Sequence, residues 1–361
     1  MASIPNDFST SKRIMKYGIT LTAVAVLSAG ALLSGCGGEK SAAETAGEAI
    51  ETGDYATASS VTDSVISAGG GDKLIFREKG IAQLAAGDFA GACDSFTRAL
   101  GCSNGLVEQA DIDISCYLAV AQFKAGDLEA AHETADAVLA IRPKDDGAYF
   151  LRGKIDLAMG NKEEALRDFD STVTLDPTNY DRFVGIYEEL HSKGYDAEAA
   201  AYLEKAISAG NKLSDYNKGV LEYYLGSYTD ARNDLENAKK SANSEDLTLY
   251  LGRTYEALGD DGYAQTLYEE YIRENSSAGR VYEQLANCRL KGGNFEGALE
   301  TIESGLSLGN GEGKQGMMFD RVVAQERLYD FASAKKSIEE YLELYPDDEV
   351  ARRESVFLSS R

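Results

Sequence analysis

Side chains able to do chemistry are few in this sequence, and they are scattered. Its two histidines are His132 and His191. Neither lies beside a cysteine or a carboxylate at the spacing that a metal site needs, so both read as structural or surface residues. Sixty acidic residues make carboxylate pairs inevitable by chance, and none stands out as a general acid and base. The segment GNGEGKQG (309–316) has the glycines of a phosphate loop but not its pattern. The spacing from Gly to the GK pair is wrong, Gln315 replaces the required hydroxyl, and no strand precedes it. Cys93, Cys102 and Cys116 gather in one stretch, with Cys288 remote and Cys36 far upstream. An oxidising compartment would allow a disulfide such as Cys102 to Cys116. Small buried thiols at helix-packing positions are the reading preferred here. No cofactor or metal is implied, and the chain reads as a non-enzyme.

The elements that could position such residues follow from composition. The 361 residues are 43% hydrophobic, contain four prolines and no tryptophan, and are rich in Ala, Leu, Glu and Tyr. This is the composition of a mostly helical protein. The net charge is −24. Residues 1–35 hold Lys12, Arg13 and Lys16 against Asp7, a net of +2, which leaves −26 on the remainder. So acidic a surface excludes nucleic acid as a partner and keeps the protein soluble.

The positive charges of SKRIMKYG precede a 16-residue, mainly apolar run, GITLTAVAVLSAGALL. The run is short for a membrane span, but its basic flank and small trailing residues suit a cleaved export signal. It ends in Leu33-Ser34-Gly35-Cys36, which resembles the lipobox of bacterial lipoproteins. The resemblance implies cleavage before Cys36 and lipidation of its thiol. Residues 1–35 are then a signal peptide and 36–44 a short linker. The protein is expected on the outer face of the cell membrane, or on the periplasmic side of an outer membrane. More than one acyl chain is what stable anchoring requires.

Behind the linker the sequence repeats. GDYATA, GDFAGA, GDLEAA, GNKEEA, GYDAEA, GSYTDA, GDDGYA, GNFEGA and YDFASA begin at 53, 87, 126, 160, 194, 226, 259, 293 and 329. A turn glycine can end one helix in the left-handed conformation, and the Asp, Asn or Ser after it can cap the next. The invariant Ala five residues on lets two helices approach. Seven residues before the turn most units carry Gly or Ala; nine after it most carry a large apolar residue. Pro143, Pro177 and Pro346 each fall 17 residues after the turn, where they stop the second helix. Tyr187 breaks the pattern, standing where the fifth unit should have a small residue, and predicts a splayed or tilted pair there. Each unit is an antiparallel helix pair that buries its apolar face by stacking.

Units such as YFLRGKIDLAMGNKEEALRDFDSTVTLDP (149–177) resemble the tetratricopeptide repeat family. The fold implied is all-α, a right-handed superhelical solenoid of about nine helix pairs over residues 45–348, with a capping helix at 349–361. In that family the first helices line a concave groove that holds a peptide or a partner helix. By position the groove residues here are Phe123, Phe150, Lys154, Val184, Glu188, Tyr216, Val220, Tyr223, Tyr224, Arg253, Asn287 and Phe319. The family's clamp for a terminal carboxylate is not reproduced: Glu283 stands where its first lysine belongs, although Asn287 fits. The expected function is a membrane-anchored, non-catalytic adapter that binds envelope or secreted proteins. The alternative is an accessory subunit of an envelope enzyme or of a secretion or assembly machine.

Overall fold

A computed structural model describes residues 41–209, 213–309 and 313–361. Cys36 and the lipobox, like the whole N-terminal apolar run, lie outside the described residues. Nineteen α-helices are present among those described, and no strand. No described helix is long and apolar enough to cross a membrane.

The chain divides into two compact units, 1–202 and 203–361. In the first, α1 (Ala42–Glu51), α2 (Tyr55–Ser67), α3 (Lys73–Ala85), α4 (Phe89–Gly101), α5 (Gln109–Ala125), α6 (Leu128–Ile141), α7 (Asp146–Met159), α8 (Lys162–Leu175) and α9 (Tyr180–Ser192) follow in order. The division falls inside α10 (Asp196–Ser208). The second unit holds α11 (Asp215–Tyr224), α12 (Tyr228–Lys239), α13 (Glu245–Ala257), α14 (Asp261–Glu274), α15 (Gly279–Lys291), α16 (Phe295–Leu306), α17 (Lys314–Arg327), α18 (Phe331–Leu344) and α19 (Glu349–Ser359). The first helix thus starts three residues earlier than the linker boundary drawn from sequence.

The repeat explains the packing position by position. The nine alanines Ala58, Ala92, Ala131, Ala165, Ala199, Ala231, Ala264, Ala298 and Ala334 are all fully buried. So are the large residues four further on, among them Phe96, Phe169, Leu235, Tyr268, Ile302 and Ile338. Each stabilises its pair by about 1.5–3 kcal/mol through burial alone. The small residue on the first helix is what admits them. A Cβ on Gly80 would stand 2.5 Å from the Phe96 ring, and one on Gly219 2.6 Å from Leu235. In the first unit's weakest repeat Thr62 replaces the large residue. It is fully buried, and its hydroxyl donates back to the Ala58 carbonyl, the local bond that makes a buried threonine tolerable.

Turns behave as the residue types require. The eight turn glycines from Gly53 to Gly293 all have positive φ, between 74° and 86°. Tyr329 occupies the ninth turn with φ of 60°, the one non-glycine with positive φ among the described residues. Asp54, Asp88, Asp127, Asp260, Asn294 and Asp330 accept a backbone N–H three residues on, capping the second helices. Asn161 and Ser227 make no such bond. The residues before Pro143, Pro177 and Pro346 are C-caps at φ of −123° to −131° and ψ of 63° to 85°. The following ring excludes the helical conformation there.

Tyr187, the misfit of the fifth repeat, is half-buried and lies flat on His191, with ring centres 5.4 Å apart. Gly313 and Gly316, from the glycine-rich segment, also gain a role. Gly313 is the N-cap of α17 with φ of 85°, and the Glu283 carboxylate packs on Gly313 and Gly316, where an added Cβ would displace it. Glu283 thus brings a carboxylate to the positive end of α17, a favourable placement.

Candidate functional site

All twelve sequence-predicted groove residues lie on the first helices of their pairs, α5, α7, α9, α11, α13, α15 and α17. Their exposures differ sharply. Phe150, Lys154 and Val184 are each only 3% exposed and Val220 7%, so these four side chains pack adjacent helices and offer little surface. Phe123, Glu188, Tyr216, Tyr223, Tyr224, Arg253, Asn287 and Phe319 are half-buried.

In the first unit the structure brings Phe123, Phe150 and Lys154 together. The Lys154 ammonium stands 5.7 Å from the Phe123 ring centre and 5.6 Å from that of Phe150. Its charge is paired with Glu189 at 2.6 Å. The Arg182 guanidinium covers Phe150 as well, 4.8 Å from the ring centre. A buried charge is tolerated only with such partners, and losing one is costly. The cluster ties α5, α7 and α9 to one another.

In the second unit Tyr216, Tyr223 and Tyr224 converge with two tyrosines that the sequence reading missed. Tyr250 of α13 is the hub. Its ring centre is 5.7 Å from Tyr223, 6.1 Å from Tyr224 and 6.4 Å from Tyr216. Tyr223 also meets Tyr224 at 5.6 Å, nearly edge-on, and Tyr228 at 5.7 Å. The hydroxyls of Tyr224 and Tyr250 are 3.3 Å apart. Edge-to-face rings at these separations attract one another beyond the area they bury. Burial raises the Tyr223 hydroxyl above its ordinary range, and Arg253 partly opposes the rise. The local density of tyrosine between 216 and 250 is the signal in the sequence that points to Tyr228 and Tyr250.

The remaining candidates do other work. Arg253 donates to Gln284 at 3.0 Å, and Gln284 donates to Glu256 at 2.9 Å. Glu256 also accepts from the fully buried Tyr268 at 2.8 Å. Phe319 meets Tyr341 edge-on at 5.6 Å, in the core beneath α19.

Glu222, on the same helix as the tyrosines, is the unusual acid. It is 8% exposed, and one of its oxygens has no hydrogen-bond partner. Burial first, and then the neighbouring Asp234, push its carboxyl up to about 7. Lys218 bridges the two acids, 3.3 Å from Glu222 and 2.7 Å from Asp234.

Histidines and cysteines fall away from this surface. His132 lies 3.5 Å from Asp136 and 3.4 Å from Asp156, joining α6 to α7. His191 pairs with Asp196 at 2.6 Å. Cys93, Cys102, Cys116 and Cys288 are free thiols, and burial pushes Cys116 up to about 12, which makes it a poor nucleophile. Among the described residues no group of three His, Cys, Asp or Glu side chains could hold a metal ion.

The architecture is that of tetratricopeptide-repeat proteins. The tetratricopeptide repeat family model matches residues 118–180, from the middle of α5 to the first residue of α9. Among solved structures, Tom70 from yeast aligns with a TM-score of 0.54 at 14% identity, over 88% of this chain and 80% of its own. A tetratricopeptide repeat protein from Parabacteroides merdae ATCC 43184 aligns with a TM-score of 0.44 at 16% identity, over 71% of this chain and 97% of its own. The first of these shares the all-helical repeat fold. The described residues thus have the all-helical repeat fold of Tom70, and residues 118–180 within it match the tetratricopeptide repeat.

Proposed function

We propose that the protein is a lipid-anchored, non-catalytic adapter at the bacterial cell envelope, which holds an envelope or secreted protein on the first helices of its repeats. The observation that carries the reading is the tyrosine cluster of α11, α12 and α13. Three partly exposed rings, Tyr216, Tyr223 and Tyr224, surround the nearly buried Tyr250, with Tyr228 beside Tyr223, and they offer faces, edges and hydroxyls on a rigid support. Tyrosine is enriched at interfaces for this reason: it presents large amphipathic area with few torsions to freeze. The lipobox resemblance at Leu33–Cys36 supports the anchor, and the acidity of the chain favours a protein over a nucleic acid as partner.

Two measurements test the proposal. A photo-cross-linking amino acid at Tyr224, activated in living cells, should give one discrete adduct with an envelope protein. The same group at exposed Lys336 of α18 should give none. Cys36→Ser should move the protein from the membrane fraction to the soluble fraction. Absence of an adduct at Tyr224 refutes the binding surface, and unchanged fractionation of the Cys36 variant refutes the anchor.

A further inference from the structure

The exposed apolar side chains of the first unit are distributed unevenly between its two edges. In a row of antiparallel helix pairs, the turns within pairs lie along one edge. The junctions between pairs lie along the other, together with the start of α1. Six large apolar residues of this unit are substantially exposed: Leu74 (49%), Leu106 (71%), Val107 (64%), Ile141 (52%), Met159 (37%) and Leu175 (38%). Met159 closes α7 at the turn edge. The other five are at the junction edge, in the first turn of α3, in the loop between α4 and α5, and at the last residues of α6 and α8. The second unit shows no such bias, since Leu258, Tyr263 and Tyr329 are exposed at its turns, Leu308, Leu344 and Val350 at its junctions, and Val356 and Phe357 near the end of α19.

The most prominent pair, Leu106 and Val107, is held outward by polar bonds. Asn104 accepts the Leu106 N–H at 3.0 Å, and Gly105 takes φ of 89°. Asp111 accepts from Ser103 and from the Glu108 backbone, and Lys73 bridges Glu108 at 3.0 Å and Asp111 at 2.8 Å. Leu106 and Val107 also border a cavity of about 260 Å³, together with Leu100, Ile112, Val138 and Ile141. A pinned loop that presents two adjacent aliphatic side chains to water is costly unless something covers them.

The chain itself indicates the cover. Ser41, the N-cap of α1, is on this same junction edge, five residues after Cys36. Extended, those residues span about 17 Å at most. The geometry points to the junction edge of the first unit as a second membrane contact, in which Leu106 and Val107, flanked by Leu74, Ile141 and Leu175, enter the lipid headgroup layer. The inference rests on the proposed anchoring at Cys36. Asp72, Glu108, Asp145 and Asp176 share this edge with Lys73, Arg142 and Lys144, so the lipid that suits its mixed charge is zwitterionic.

The chain lacks tryptophan, so Leu106→Trp adds a single reporter at an exposed site, and Met159→Trp adds one at the opposite edge. Residues 36–361 of each variant, held by an N-terminal hexahistidine tag on phosphatidylcholine vesicles with a nickel-chelating lipid, are compared before and after tethering. The tether makes the readout independent of lipidation. Emission from Leu106→Trp should shift to the blue on tethering and be quenched by brominated acyl chains, while Met159→Trp stays unchanged. Water-like, unquenched emission from Leu106→Trp overturns the second contact, whatever the state of the anchor. Equal quenching at both sites overturns it as well, because the edge would then have no preference. The anchor stands or falls separately, on the intact mass of the Cys36 N-terminus from cells.

Discussion

Phe169 lies against Gly153 so closely that a Cβ at Gly153 would stand 2.7 Å from the ring carbon Cε1 and 3.2 Å from the Ala165 carbonyl oxygen. The repeat's small position and large position are therefore one contact, seen from two helices. Gly153→Ala should destabilise the first unit by about 1–3 kcal/mol through overpacking, despite alanine's better helix propensity. Urea denaturation followed by circular dichroism reads the loss. Adding Phe169→Leu should recover part of it, and an additive double variant would show that the contact is not the cause.

Tyr329 should be an easily improved residue. It is 82% exposed and takes a left-handed conformation that the other eight turns give to glycine. A non-glycine side chain there costs about 1–2 kcal/mol, and glycine's extra unfolded-state freedom costs about 0.5–1 kcal/mol. Tyr329→Gly should thus gain about 0.5–1 kcal/mol, read as a higher urea midpoint. A lower midpoint would mean that its edge-on contact with Phe331 outweighs the strain.

Removal of one cap should act locally. The Asp127 carboxylate accepts the Ala130 N–H, and Asp127→Ala should cost about 1 kcal/mol. Hydrogen exchange should quicken in the first turn of α6. Asn161 makes no cap bond, so Asn161→Ala should cost less, and an equal cost for the two would contradict the assignment.

Glu222 predicts a pH dependence with a definite sign. Its folded pKa, about 7, lies above the model-peptide value of 4.5, so the folded state holds the proton more tightly than the unfolded state. Stability is then lost as pH rises from about 4.5 through 7, and the penalty is complete above that range. Glu222→Gln removes the penalty. It should raise the melting temperature at pH 8 and leave it nearly unchanged at pH 5. An equal change at both values would show that ionisation of Glu222 is not involved.

Much of the fold was legible because helix pairs are local objects. Gly, Asp and Ala at fixed offsets encode a turn, a cap and a close approach within a dozen residues, and Pro143, Pro177 and Pro346 stop helices where they stand. The site was less legible. Position within a repeat identifies the helix face, but it does not say whether the next helix covers that face. Lys154 and Phe150 were expected in the groove, yet Glu189 and Arg182 from α9 close over them. Tyr250 lies on the next repeat's first helix, and its part in the cluster depends on three rings supplied by α11. Glu283 was read only as the loss of a clamp lysine. Its place at the start of α17 needs Gly313 and Gly316, thirty residues away.

The central claim is that the tyrosine surface of α11 binds a protein partner, and one comparison tests it most directly. Tyr223→Ala/Tyr224→Ala is set beside the unaltered protein for capture of the partner that the Tyr224 cross-link identifies, with helical content and melting temperature measured on the same samples. The account predicts loss of capture with the helical signal retained and only a modest fall in melting temperature. Undiminished capture by a folded double variant would contradict it.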